Sequence, residues 1–309
     1  MGILGINRRN AEYILPVNQR EFYPLVDDKL LTKELAVKNG LNVPPLYGVI
    51  RYHHQIPSIM DIGERHLHFV VKPSKGSGGQ GILVLTRRSP DTFERASGVV
   101  LGDNDLKYYI SGILAGLYSL GGQEDKALVE YRIEPSPVFA KVTFRGVPDV
   151  RLIVYRGVPI MAMLRLPTKE SNGKANLHNG AIGVGVDLQT GVTLQGVHHT
   201  RLVTTHPDTE ENIKGISIPY WKDILNIGAR SYDMTGLGYI GVDVAVDQTQ
   251  GPMILEFNAR PGLSIQIANR AGLVPRLNAV DAADLRGMSI EERILMGQRA
   301  ARHFSPRNS

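Results

Sequence analysis

Alternation of apolar and polar positions predicts a chain of short strands punctuated by amphipathic helices. Phe69-Val70-Val71 and Ile82-Leu83-Val84-Leu85 read as two strands within 66–86, with Gly76, Gly78, Gly79 and Gly81 crowded between them. Ala127-Leu128-Val129 is a short buried strand, and another begins at Asp149. The Met161-Ala162-Met163-Leu164 run reads as core strand packing and not as a ligand surface. Further on, Gly241-Val242-Asp243-Val244-Ala245-Val246 and Met253-Ile254-Leu255-Glu256-Phe257-Asn258 are alternating strands joined by a polar turn at Gln250-Gly251-Pro252.

Helical spacing predicts helices over 29–39, 105–120 and 220–234. In the second, Leu106, Ile110, Ile113, Leu114 and Leu117 share a face, and Gly121-Gly122 stop the helix. Ser289-Ile290-Glu291-Glu292 is a capping box that opens a last, structural helix reaching about Phe304, with Arg299 and Arg302 suited to its C-terminal end. A basic arm precedes Pro24, a glycine-rich segment runs over 172–196, and no internal repeat is apparent.

The glycine-dense segment between the first two strands carries candidate chemistry. Glycines let backbone N–H groups approach phosphate oxygens without Cβ obstruction, and Lys72 and Lys75 bring compact cations to the same place. Strand, phosphate loop, strand is the reading, and a nucleotide triphosphate is the expected ligand. Gly76, Gly78 and Gly81 also match G-x-G-x-x-G, but that fingerprint must open a helix, and here a strand follows. A protein-kinase loop requires downstream H-R-D and D-F-G, which are absent, and a Walker lysine would stand where Gln80-Gly81-Ile82 stands. An ordinary hairpin with a glycine turn remains the alternative at this point.

The two late strands supply a complementary set. With side chains alternating at period two, Glu256 and Asn258 share a face that Asp243 reaches from the neighbouring strand. Two carboxylates and an amide carbonyl suit Mg²⁺, which takes one or two protein carboxylates and fills its shell with water and phosphate oxygens. A solvated edge with scattered acids fits poorly, because Glu256 sits in an apolar run where an unpaired charge is costly.

These residues together resemble the ATP-grasp superfamily: Lys72 in Val71-Lys72-Pro73, the glycine loop, and the Asp243, Glu256 and Asn258 trio. Asp28-Lys29-Leu30-Leu31-Thr32-Lys33-Glu34-Leu35-Ala36 followed by Gly40-Leu41-Asn42-Val43-Pro44-Pro45 resembles the opening of that superfamily's nucleotide-binding region. Asp149-Val150-Arg151, Asn176-Leu177-His178 and Glu256-Phe257-Asn258-Ala259-Arg260-Pro261-Gly262-Leu263 look most like RimK-type alpha-L-glutamate ligases. The resemblance covers about residues 25–272.

The resemblance implies an α+β ATP-grasp fold, with two α+β subdomains gripping ATP and a boundary near 130–132. Residues 1–24 form the arm, 25–130 the N-terminal subdomain with the loop, 131–272 the C-terminal subdomain with the metal site, and 273–309 a helical extension. It implies that Lys29 and Lys72 hold ATP phosphates while Ser74, Gly76, Ser77, Gly78, Gly79, Gln80 and Gly81 fold over them. Glu130, Tyr131, Arg132 and Ile133 form the adenine hinge. Asp149 contacts the nucleotide at the ribose, with Glu134 the weaker candidate. Lys174 and Asn176 fall on the triphosphate and Mg²⁺, and Mn²⁺ is a possible substitute. Arg151, Arg165, His178 and Arg260 line the acceptor side.

The implied activity is carboxylate–amine ligation through an acyl phosphate, adding an amino acid such as glutamate to a peptide or protein. A ligase in small-molecule or glycan assembly, or an ATP-binding regulatory module, are the alternatives. Relatives place an arginine two residues before the first metal acid; Gly241 stands there, and Arg165 or Arg151 is its substitute. About 28 residues precede Lys29, whereas usual members carry a separate α/β domain of roughly a hundred residues, an ordinary domain size. An abbreviated N-terminal domain is therefore expected. The acceptor would be held by the arm with Arg8 and Arg9, by another subunit, or by a protein partner.

Composition narrows the class further. The chain has 309 residues, 42% hydrophobic, with no cysteine and a formal charge of +5. Disulfides, thiolate catalysis and Cys-zinc sites are excluded, and the bases are too dispersed for nucleic acid to be a favoured partner. No apolar stretch approaches membrane-spanning length and the first residues lack a myristoylation pattern, so a cytoplasmic enzyme is the expectation. His53-His54 and His198-His199 read as solvated loop histidines with no partner at ligand spacing.

Overall fold

The computed structural model describes residues 2–76 and 78–303, so the predicted loop residue Ser77 and the predicted helix end Phe304 lie outside the described residues. The chain divides into two compact units: Asp28–Leu30 with Pro44–Ile133, and Met1–Asp27 with Leu31–Val43 and Glu134–Ser309.

The smaller unit is a six-stranded antiparallel sheet of β1 (Leu46–Ile50), β2 (His68–Pro73), β3 (Leu83–Ser89), β4 (Thr92–Arg95), β5 (Val100–Gly102) and β6 (Ala127–Tyr131), in the order β1-β6-β2-β3-β4-β5. Phe69, Val71, Leu83 and Leu85 turn one face onto Ile59 and Ile62 of the Ser58–Arg65 helix and Leu106, Ile110 and Ile113 of the Asp103–Leu114 helix. Alternation then puts Lys72 of β2 on the opposite face, where β6 brings Glu130. The Asp103–Leu114 helix ends earlier than its apolar pattern predicts. The chain turns left-handed at Gly116 (φ 82°), where a Cβ would stand 2.3 Å from the Gln123 carbonyl oxygen, and Leu117 is left 71% exposed.

The larger unit holds a seven-stranded antiparallel sheet: β7 (Asp149–Tyr155), β8 (Val158–Leu166), β9 (Ile182–Val186), β10 (Thr193–His198), β11 (Arg201–Val203), β12 (Tyr239–Asp247) and β13 (Gly251–Asn258). Their order is β11-β10-β9-β8-β7-β12-β13. One face packs Leu152, Leu164, Val242 and Val244 against Ile224, Leu225 and Ile227 of the Trp221–Thr235 helix. The other face is covered in part by Leu4, Tyr13 and Ile14, which join Ile153, Met161, Met163 and Tyr239. Coverage on both sides explains why β8 is buried along its whole length and reads as an unbroken apolar run.

The basic arm is therefore a packed segment. Arg9 is buried and donates to the Pro261 carbonyl at 2.6 Å; Arg8 is exposed and paired with Glu12 at 2.7 Å. The capping box holds as read: Ser289 N–H donates to Glu292 Oε2 (2.7 Å) and Glu292 N–H to Ser289 Oγ (3.2 Å), opening the Ile290–His303 helix.

That last helix approaches β8 closely at Gly297, where a Cβ would stand 1.9 Å from the backbone oxygen of Pro159. Backbone cannot yield as a side chain does, so Gly297→Ala is expected to destabilise the protein by roughly 1–3 kcal/mol through overpacking. Urea unfolding of the purified variant measures this, and a midpoint equal to the wild type would contradict the close approach.

Candidate nucleotide and metal site

The smaller unit builds a glycine loop on a charged base. Ser74, at the end of β2, donates from Oγ to Asp28 Oδ1, and its carbonyl accepts from Lys29 N–H at 2.9 Å. Asp28 Oδ1 also caps Leu30 N–H at 2.9 Å, so the start of the Lys29–Lys38 helix is tied to the loop entrance. Lys29 Nζ reaches the Gly76 carbonyl. On the other side, Asp125 accepts from Lys75 N–H at 2.9 Å, from Ser119 Oγ at 2.5 Å and from Lys126 N–H at 2.7 Å. Gly78, Gly79 and Gly81 follow with φ of 61°, 74° and 70°, conformations that favour glycine.

Lys72 and Glu130 form a buried ion pair at 2.5 Å on the sheet face opposite the helices. The structure thus brings together Lys29, Lys72, Ser74 and Gly76 from segments more than 40 positions apart in the chain. Asp28 and Asp125, which hold the base, were not singled out from the sequence; Asp125 follows a Gly-Gly-Gln-Glu stretch that resembles any polar turn. At the hinge, Tyr131 N–H donates to the Pro45 carbonyl at 2.9 Å, and Arg132 Nη1 donates to Thr86 Oγ1 at 3.2 Å.

Gly81 lies against Tyr118, whose ring carbon would be 2.6 Å from an added Cβ. With its positive φ, Gly81→Ala combines a steric overlap and backbone strain, the latter alone on the order of 1–3 kcal/mol. The expected result is a weakened grip on nucleotide of about tenfold or more, measured by calorimetric titration with ATP and Mg²⁺; equal affinity would show that the loop's shape does not matter to binding.

In the larger unit, register alone assembles a charged row. β12 places Asp243 opposite Arg151 of β7 on one side and Glu256 of β13 on the other, while β7 places Asp149 opposite Arg165 of β8. Arg151 donates from Nε and Nη2 to the two oxygens of Asp243 at 2.6 and 2.5 Å. Arg165 does the same to Asp149 at 2.5 and 2.7 Å and reaches Asp243 Oδ2 at 2.6 Å. Glu256 Oε1 stands 4.0 Å from Arg151 Nη2 and 3.3 Å from the Asn258 amide nitrogen, which is also 3.5 Å from Asp243 Oδ2. A β-bulge between Asp243 and Val244 shifts the pairing so that Asp243 meets Glu256.

Burial works against ionisation of Asp243, but Arg151 and Arg165 outweigh it and hold the carboxyl down at about 2. Asp149 has one guanidinium where Asp243 has two; burial, together with the charge of Asp243, pushes it up to about 6 against the pull of Arg165. Arg165 is likewise opposed by burial, yet the two aspartates raise its pKa.

The trio fits a hard divalent cation by donor chemistry. Asp243 Oδ1 accepts one guanidinium bond and retains a lone pair, Glu256 lies at the partly exposed end of the row, and a half-turn of the Asn258 amide presents its oxygen. Gly241 cannot carry the relatives' arginine without displacement, since a Cβ there would stand 2.6 Å from Pro261 Cβ. Arg151 already reaches both acids from the adjacent strand. Arg260 is exposed, with its guanidinium 5.4 Å from the Tyr23 ring centre. Lys174 is half-buried, Asn176 Oδ1 caps the N–H of exposed His178 at 3.0 Å, and all three lie in the loop between β8 and β9.

The same loop corrects the reading of His198-His199. Glu170 approaches both, with oxygens 3.0 Å from His199 Nε2 and 3.3 Å from His198 Nε2. His53 contacts Ser111 Oγ at 3.3 Å, and His54 stacks on Tyr52.

A profile of the sugar-transfer associated ATP-grasp family matches residues 8–282. The chain belongs to this family. Its α+β architecture is accordingly an ATP-grasp fold. Among solved structures, this ATP-grasp chain is similar to the ATP-grasp ligase PsnB complexed with minimal precursor, at 15% identity and TM-score 0.42, covering 80% of this chain and 56% of that one. It is similar to PsnB complexed with minimal precursor, Mg and ADP at 14% identity and TM-score 0.45, covering 92% and 62%. D-alanine--D-alanine ligase from Bacillus anthracis gives 12% identity and TM-score 0.44, covering 91% and 69%. The chain thus spans less than two thirds of the length of PsnB. No curated protein matches the sequence of this ATP-grasp chain. Among its described residues, no helix is long and apolar enough to cross a membrane.

Proposed function

We propose that the protein is an ATP-dependent carboxylate–amine ligase working through an acyl phosphate. The observation that carries the reading is the row of Glu256, Asp243, Arg151, Asp149 and Arg165 on one sheet, which family membership lets us assign to phosphoryl transfer. A substrate carboxylate attacks the γ-phosphorus of ATP, ADP leaves, and an amine then attacks the acyl carbon and expels phosphate. Each step concentrates negative charge, so preorganised cations contribute the largest effects.

Lys29 and Lys72 hold phosphate oxygens, and the N–H groups of the 74–81 loop close over them. Asp243, Glu256 and Asn258 hold Mg²⁺, which screens the phosphate charge when bound; Mn²⁺ suits the same oxygens. Arg151 steadies the oxyanion of the tetrahedral intermediate in place of the arginine that Gly241 cannot be. Arg165 bridges Asp149 and Asp243 and so positions Asp243; Asp149, buried and held by that guanidinium, is read as part of this support and not as the ribose contact that the resemblance implies. Arg132 and Ile133 contribute to the adenine edge, because the Tyr131 N–H is already engaged. Lys174, Asn176, His178 and Arg260 face the triphosphate and acceptor.

Glutamate is the first amino acid to offer, on the RimK-type resemblance, with a peptide or protein acceptor. A second reading takes the acceptor from glycan assembly, and the family's sugar-transfer association favours it. The use of ATP is consistent with a cytoplasmic site of action. Incubation with ATP, Mg²⁺, single amino acids and panels of peptide and amino-sugar acceptors tests both readings. ADP release that depends on one acceptor class identifies the reaction; tight ATP binding with no turnover across the panels would leave a regulatory binding module instead.

A further inference from the structure

We propose that Glu170, His198 and His199 form a zinc site that pins the loop bearing Lys174, Asn176 and His178. Neighbouring residues of a strand point to opposite faces, yet these two histidines present their Nε2 atoms to one carboxylate. The backbone brings this about. His198 makes the last pair of the β10–β11 hairpin, with Arg201, and His199 enters the two-residue turn with φ of 53°. Histidine, with asparagine and aspartate, is among the residues that adopt this conformation most readily after glycine, and here the turn directs its ring back toward Glu170.

The carboxylate is placed with equal specificity. Gly180 (φ 95°) lies under Glu170, so that an added Cβ would stand 2.7 Å from the carboxyl carbon. The segment carrying Glu170 is braced by Thr168 Oγ1 on the Gly180 carbonyl (2.8 Å), by Thr168 N–H on Ser171 Oγ (2.9 Å) and by Lys169 N–H on Asp208 (2.7 Å). The Gly180 carbonyl, 3.0 Å from His198 Nε2, can only accept, so in the metal-free protein it takes the Nε2 proton that zinc would displace.

Donor geometry and type select the metal. The three ligand atoms lie within 4.8 Å of one another, and the Glu-to-His separations are 3.0 and 3.3 Å. A tetrahedral zinc with bonds of about 2.0–2.1 Å has ligand edges of roughly 3.4 Å, so the two Glu–His edges would open by a few tenths of an ångström and the two imidazole nitrogens, within 4.8 Å of one another, would settle to the same spacing. Two imidazoles and one carboxylate suit Zn²⁺ and not Mg²⁺, which requires an oxygen shell, and three protein donors leave a fourth position for water. The loop would then be tied to the hairpin by metal bonds in place of exposed hydrogen bonds. This inference is independent of the ligase reading.

The full chain, freed of metal by chelation, is to be titrated calorimetrically with zinc chloride in excess Mg²⁺, which competes for oxygen-only sites elsewhere on the protein. One equivalent should bind with micromolar affinity or better, and Co²⁺ should give the visible absorption of a tetrahedral site. Glu170→Gln, His198→Ala and His199→Ala should each weaken zinc by at least tenfold while circular dichroism is unchanged. Zinc affinity that is unaffected in all three variants, or weaker than millimolar in the wild type, would overturn the site. Zinc should also slow tryptic cleavage at Lys169 and Lys174 in the wild type and not in His199→Ala; equal cleavage would remove the pinning role.

Discussion

Glu256→Ala is expected to abolish ADP formation, lowering turnover by about 10³-fold, while the protein remains folded. Glu256 is the member of the acidic row with a partly exposed side chain (32%), so its removal opens no core cavity. It stands 4.0 Å from Arg151, whereas Asp243 accepts guanidinium bonds on both oxygens. In the divalent-cation site proposed for this row, losing one preorganised charge typically costs 10²–10³-fold. The measurement is acceptor-dependent ADP release alongside thermal unfolding. Wild-type turnover in a folded variant would refute the metal assignment.

Arg165→Met is expected to cost about 3–5 kcal/mol of stability, the scale for breaking a buried ion pair and leaving its partners charged. Asp149 and Asp243 are both fully within the sheet, and Arg165 is the residue bonded to each. The pH dependence carries a sign. In the wild type, Asp243 is held at about 2, below its ordinary 3.8, so its stabilising contribution is complete above about pH 4 and is lost as pH falls through 2. Asp149 is raised to about 6, so its contribution runs the other way and stability declines as pH rises from about 4 to 6. Without Arg165, Asp149 rises further. The variant's deficit relative to wild type should therefore shrink when urea unfolding is repeated at pH 5 instead of pH 7; a deficit that grows on acidification would contradict the role assigned to Arg165.

Sequence reading captured what periodicity governs. The strands around the glycine loop, the helix opened by Ser289 and the shared face of Asp243 and Glu256 all follow from local alternation or capping, and they appear in the structure. Features that depend on contacts distant in sequence were not legible. Asp125 looks like a turn residue until Lys75 N–H and Ser119 Oγ arrive, and His198 and His199 look unpartnered until Glu170 reaches them from the loop after β8. The helix stop at Gly116 was missed because the apolar spacing runs on to Leu117, although backbone crowding against Gln123 ends it first. Arg9 shows the opposite limit: the sequence groups it with Arg8 in one basic arm, but folding covers Arg9 and gives it the Pro261 carbonyl while Arg8 stays exposed.

The paired arginines and aspartates of β7, β8 and β12 also act while the chain is still folding. Sliding any of these strands by a single residue would swing its charges into the hydrocarbon packed beneath the Trp221–Thr235 helix, and a two-residue slide would set them beside like charges in one direction (Asp243 on Asp149, Arg151 on Arg165) and beside apolar partners in the other. Misaligned hairpins are thus selected against, so the charges proposed for chemistry also dictate which sheet can assemble.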